Sequence, residues 1–196
     1  MPDTDTDEYL LERARAGDED AFLSIYTRHR VAMYRFACRL LGDASAAEDV
    51  THDCFLSLFK HPERFDASRG ASLRTNLFAA VRNLSLKRFR RSSQEMLIDE
   101  AAVEPSAPVA EQPLSRMLEA ELSATVRAAV ENLPALQREV LILFEFENLS
   151  LQEIADVVGA EANTVKSRLA RGRAGLRRAL AARLKGHAQT VCVPEK

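Results

Sequence analysis

Between residues 162 and 185 the chain carries eight basic side chains and no acidic one. Between residues 67 and 94 it carries seven bases, again with no acid. Guanidinium and ammonium groups at this density are suited to holding phosphate, because the local field at a contact decides binding, not the net charge of the chain. The average conceals both blocks: 27 Lys+Arg against 29 Asp+Glu leave a formal charge of −2 over 196 residues. Five acids and no base fill residues 92–115, and eight acids against two bases fill residues 1–20. Two basic blocks therefore alternate with acidic ones.

Other chemistry is poorly provided for. His29, His52, His61 and His187 fall on different segments, with no paired spacing for zinc. There is no GxSxG and no glycine-rich phosphate cradle. His52 and Cys54, two residues apart, do not share a helix face. Three cysteines (Cys38, Cys54, Cys192) are too few for a disulfide framework. We expect no enzyme, no catalytic residue, no cofactor, no metal and no small-molecule substrate. No apolar run approaches the roughly 20 residues of a membrane helix. The acidic N-terminus lacks the order of a secretory signal. A cytoplasmic protein without direct membrane insertion is the expectation.

Helices must position the basic blocks. Apolar residues recur at helical intervals over residues 18–41 (Phe22, Ile25, Met33, Phe36, Leu40), with Gly42 as a stop. A second stripe runs over 45–60 (Ala47, Val50, Cys54, Leu58), ending at His61-Pro62. A loop is expected over 65–72 and a long helix over 73–91. Over 92–113, Pro105, Pro108, Pro113 and five acids leave too little apolar surface to offset ordering entropy. The expected class is thus all-α: two small helical domains joined by a flexible acidic linker. The boundaries are 1–92 for the first domain, 93–114 for the linker, 115–185 for the second domain and 186–196 for a mobile tail.

In the second domain, helices are expected at 118–132 and, led by Pro134, at 134–146. Ser150 with Glu153 three residues on forms a capping box, and Gly159 offers a left-handed stop. Small Ala155 and apolar Ile154, Val158 and Val165 then fill the angle to a helix beginning near Ala162, the pattern of a helix-turn-helix. The N-terminal part of its second helix meets base edges, so Thr164, Lys166, Ser167, Arg168 and Arg171 are the expected readers. Arg173 and later arginines are expected on phosphate.

Two blocks together resemble one family. LPALQREVLILFEFENLSLQEIADVVGAEANTVKSRLARGRAGLRRAL is similar to the C-terminal domain of bacterial sigma factors of the extracytoplasmic-function (ECF) group. DEDAFLSIYTRHRVAMYRFACRLLGDASAAEDVTHDCFLSLFKH, followed by SLRTNLFAAVRNLSLKRFRR, is similar to their N-terminal domain. The resemblance implies a subunit that binds core RNA polymerase and directs promoter-specific initiation. Its partners would be the clamp helices of the largest polymerase subunit, the flap of the second-largest subunit, promoter DNA and an anti-sigma protein.

The resemblance also assigns roles. Glu48, Asp49, His52, Asp53 and Leu56 would grip the clamp helices, acids around one apolar side chain suiting a basic, partly apolar helix. Ser68, Arg69 and Ser72 would lie in the loop that captures a flipped base of the downstream element. Asn76 and Asn83 would face bases, and Lys87, Arg88, Arg90 and Arg91 the backbone. Phe65, Phe78 and Phe89 are candidates for stacking or for core. The chain departs from the family pattern at Asn76, where an aromatic residue is usual, at Lys87, where Asp is common, and at Glu161, where a capping Ser is typical. The competing classes are a conventional DNA-binding regulator and a protein that chiefly serves to be sequestered.

Overall fold

A computed structural model describes residues 5–65, 70–95 and 124–190, with backbone alone at 91–95 and 183–190. Among these residues all regular structure is helical. The order is α1 (Asp7–Arg15), α2 (Glu19–Leu41), α3 (Ala44–Lys60), a 3₁₀ turn (Pro62–Phe65) and α4 (Leu73–Glu95). Then come α5 (residues 124–131), α6 (Ala135–Glu145), α7 (Leu151–Val158) and α8 (Ala162–Thr190). Most of the expected linker, most of the tail and the first residues of the helix expected at 118 lie outside the described residues. The linker's expected first residues instead continue α4, which runs to Glu95.

Side-chain caps fix the helix starts. Thr6, Asp18 and Asp43 each accept the backbone N–H three residues on, satisfying a donor that the first helical turn leaves free. Ile25, Met33 and Phe36 of α2 meet Cys54 and Leu58 of α3 and Leu73, Leu77 and Phe78 of α4, all nearly without solvent contact. Phe36 and Phe78 meet edge to face, centroids 5.3 Å apart. Phe78 and Phe65 are therefore core, and of the three stacking candidates only Phe89 is exposed.

In the second half, α6 carries four consecutive buried residues, Val140, Leu141, Ile142 and Leu143. Four consecutive residues point to more than one side of a helix, so burying all of them needs partners on more than one face. Helices α8 and α7 cover part of it, and α2 of the first half covers another part. Helix α4 likewise packs on α7. The two halves, expected as separate bodies on a leash, share one continuous apolar core. The physical reason lies in α6: its four consecutive buried residues turn to more sides than the helices of its own half cover.

Candidate functional site

The helix-turn-helix is built as its sequence dictates. Ser150 Oγ accepts the Glu153 N–H at 3.2 Å, and the Glu153 carboxylate accepts the Ser150 N–H at 2.8 Å. Donation from Ser150, its backbone N–H above all, holds the Glu153 carboxyl below the usual range. Gly159 ends α7 at φ 64°, a left-handed conformation that suits a residue without Cβ. Ile154, Val158 and Val165 are buried in the angle between α7 and α8. Gly172 is buried where α8 crosses α6: a Cβ there would stand 3.2 Å from the Gln137 carbonyl oxygen. That close approach accounts for a residue that otherwise costs a helix about 1 kcal/mol.

The α8 residues expected to read DNA divide into two groups. Thr164, Lys166, Ser167 and Arg171 are exposed. Ser167 donates to the Asn163 carbonyl oxygen at 3.0 Å. Arg173 is bound to Glu145 at 2.6 Å and covers the Phe144 ring. Arg168 is half-buried, its guanidinium 4.0 Å from the Glu139 carboxylate.

In the first half, Ser72 Oγ accepts the Thr75 N–H, and Asn76 donates to the Ala71 carbonyl oxygen at 3.4 Å, so both shape the start of α4. Asn83, Lys87, Arg88 and Arg90 are exposed along α4. Ser68 and Arg69 lie outside the described residues, as does the Arg91 side chain.

Helix α3 presents Glu48, Asp49, His52, Asp53 and Leu56 on one exposed face, as their spacing of three and four requires. Asp49 is paired with Arg88 at 2.8 Å, so a residue expected on polymerase touches one expected on DNA. Beside this face runs a groove of about 420 Å³ lined by Phe22, Leu23, Tyr26, His52, Phe55, Leu56 and Phe59. Leu23 and Phe59 are more than half exposed. The sequence reading missed both. Their signal was an apolar residue off the buried stripe of its helix.

A second set of residues was also missed. Glu139 of α6 is buried and receives two hydrogen bonds from Arg82 of α4, at 2.7 and 3.2 Å. Glu147, also buried, is bound by Arg39 of α2 at 3.0 Å, and its carbonyl oxygen accepts from Arg74 of α4 at 2.6 Å. Burial pushes the Glu147 carboxyl up, and Arg39, Arg74 and Arg35 offset only part of that. Arg39 also lies 4.5 Å above the Phe146 ring. These contacts line the seam between the halves.

Among the described residues no three His, Cys, Asp or Glu side chains cluster as a metal site would need, and no helix is long and apolar enough to cross a membrane.

Comparison with known proteins places both halves. Residues 25–95 match Sigma-70 region 2, and residues 123–176 match Sigma-70, region 4. The chain is 30% identical to the ECF RNA polymerase sigma factor SigW of Bacillus subtilis, over 87% of this chain and 94% of that one. It is 31% identical to the ECF RNA polymerase sigma factor SigM of Mycobacterium tuberculosis, over 89% of this chain and 85% of that one. The solved structure of CnrH in complex with the cytosolic domain of CnrY is similar over 91% of this chain and 99% of that chain, with TM-score 0.67 and 26% identity. The sigma factor RpoE of Bartonella quintana, in complex with the anti-sigma factor NepR, is similar over 82% and 96%, with TM-score 0.63 and 25% identity. With a region 2 half, a region 4 half in that order, and end-to-end likeness to these relatives, the chain belongs to the ECF sigma factors, non-catalytic factors of transcription initiation.

Proposed function

We propose that the chain binds core RNA polymerase through the α3 face and reads promoter DNA with two separate sets of cations. The observation that carries this reading is the opposition of two exposed faces. Acids surround Leu56 on α3, while exposed bases and no acid occupy the N-terminal half of α8. Acidic rims around an apolar contact suit the basic clamp helices of the largest polymerase subunit, and the α2–α3 groove extends that contact. Thr164, Lys166, Ser167 and Arg171 enter the major groove of the upstream element, with Arg168 and Arg173 joining them once released from Glu139 and Glu145. Asn83, Lys87, Arg88, Arg90 and Arg91 follow the opened downstream strand, with Ser68, Arg69, Ser72 and Asn76 at its flipped base. The region 4 half also meets the flap of the second-largest subunit. An anti-sigma protein controls the chain, which works with polymerase in the cytoplasm; the complexes of the CnrH and RpoE relatives support that control.

Two variants test the division of labour. Arg171→Ala should weaken upstream-element binding at least tenfold, a loss of about 1.4 kcal/mol within the range of a base or phosphate contact, and leave polymerase binding unchanged. Asp49→Lys with Asp53→Lys should abolish co-elution with core polymerase while duplex binding persists. Equal loss of both activities in either variant would refute the assignment.

A further inference from the structure

We propose that Glu161 determines specificity at the upstream element, its carboxylate accepting from the N4 amino group of a cytosine in the major groove. This role rests on the promoter function proposed above. Residues 162–185 carry no acid, so Glu161 puts a carboxylate at the leading edge of an otherwise cationic stretch. Its carbonyl oxygen accepts the Val165 N–H at 3.0 Å, one residue before α8 begins. At the starts of α1, α2, α3 and α7, the side chains of Thr6, Asp18, Asp43 and Ser150 are occupied by a backbone N–H three residues on. Glu161 differs: it is exposed, and its carboxylate has no hydrogen bond or ion pair among the described residues.

Its place on the helix aims it at DNA. Glu161 stands three, seven and ten residues before Thr164, Arg168 and Arg171, so helical spacing puts it on their side of α8. At 1.5 Å per residue the two arginines lie about 10 and 15 Å along the axis, beyond the roughly 8 Å over which exposed charges feel each other. A carboxylate brings acceptors and no donor. Phosphate oxygens repel it, and so do the N7 and O6 acceptors of guanine and the O4 of thymine. Adenine sets its N6 donor beside the N7 acceptor. Cytosine alone presents a donor, N4, with no acceptor next to it in the groove. Glu161 therefore costs affinity on most sequences and recovers it on one base.

Holoenzyme assembled from core polymerase and the full chain is bound to promoter duplexes whose upstream element is randomised, and the bound duplexes are sequenced. The native chain should favour cytosine at one position at least about fivefold over every other base, the lower end of what a base contact discriminates. By the axial distance, that position should fall within about five base pairs of the one where Arg171→Ala relaxes preference. Glu161→Gln carries an amide that pairs with adenine N6 and N7, so it should move the preference from cytosine to adenine there. Glu161→Ser is too short to reach the base and should flatten it. Both variants should keep the native preferences at all other positions. An element selected without the cytosine preference, or one that neither variant alters, overturns the Glu161 assignment alone. So does a gain in affinity that is uniform across all sequences, which is what phosphate repulsion by itself would give. Native holoenzyme that selects no upstream sequence at all overturns the promoter function, and the assignment with it.

Discussion

The attachment of α1 to α2 makes a sharp test of how the first half is held. The Asp7 carboxylate accepts from Arg28 at 2.6 Å and meets His29 Nε2 at 2.8 Å. His29 is 5% exposed, so its partner cannot readily be replaced by water. Hydrogen bonds to charged groups contribute about 1.5–3 kcal/mol each. The Arg28 pair reaches solvent and is worth under about 1 kcal/mol. Asp7→Asn keeps the shape and removes the charge, so it should cost about 2–3 kcal/mol at neutral pH, mostly through His29. For a chain of this size that lowers the melting temperature by about 4–12 °C. The pH dependence has a fixed sign. Burial alone would raise the Asp7 pKa, but His29 and Arg28 outweigh it and hold the carboxyl below its ordinary 3.8. A carboxyl depressed in the folded chain stabilises above its unfolded value, and that stability is lost as pH falls through the folded one. Urea unfolding followed by circular dichroism should thus show a gap between native and Asp7→Asn chains that is full at neutrality and closes below 3.8. Equal stability at neutrality, or a gap that widens in acid, would refute the reasoning.

Other consequences follow from single contacts. Ser150→Ala removes the acceptor for the Glu153 N–H and should destabilise the second half by about 1 kcal/mol, seen as a lower urea midpoint. An unchanged midpoint would mean that the capping box does not fix α7. Burial pushes the Cys54 thiol up to about 12, so in the folded chain it should resist alkylation at neutral pH and react only on unfolding. Because that pKa is raised from 9.0, its contribution to stability is present below 9 and is lost as pH rises towards 12.

The helices were legible because each carries local punctuation. Gly42 and His61-Pro62 stop their helices, Ser150 and Glu153 close the box, and Gly159 makes the turn that aims α8. Buried stripes at helical spacing named Ile25, Phe36, Val50, Cys54, Leu77 and Val165 as core before any coordinate. The seam was not legible, because pairing of Arg82 with Glu139 or Arg39 with Glu147 joins residues 57 and 108 apart and leaves no periodic trace. One signal was available. Four consecutive apolar residues in α6 exceed what an amphipathic stripe needs, and imply cover on a second side. Spacing places Arg168 on the face expected to meet DNA, and the fold adds a Glu139 carboxylate 4.0 Å from its guanidinium, since helical spacing locates a face but not the opposing charge. Asp49 and Arg88 were assigned to different partners, and only the fold brings them together.

Promoter-directed initiation is the heart of the account, and run-off transcription with start-site mapping tests it most directly. Core polymerase mixed with this chain and a genomic fragment library should begin transcripts at a small, reproducible set of sites. Those sites should share two short sequence elements at fixed spacing, and Asp49→Lys with Asp53→Lys should abolish every one of them. Start sites as scattered as those of core polymerase alone would contradict it.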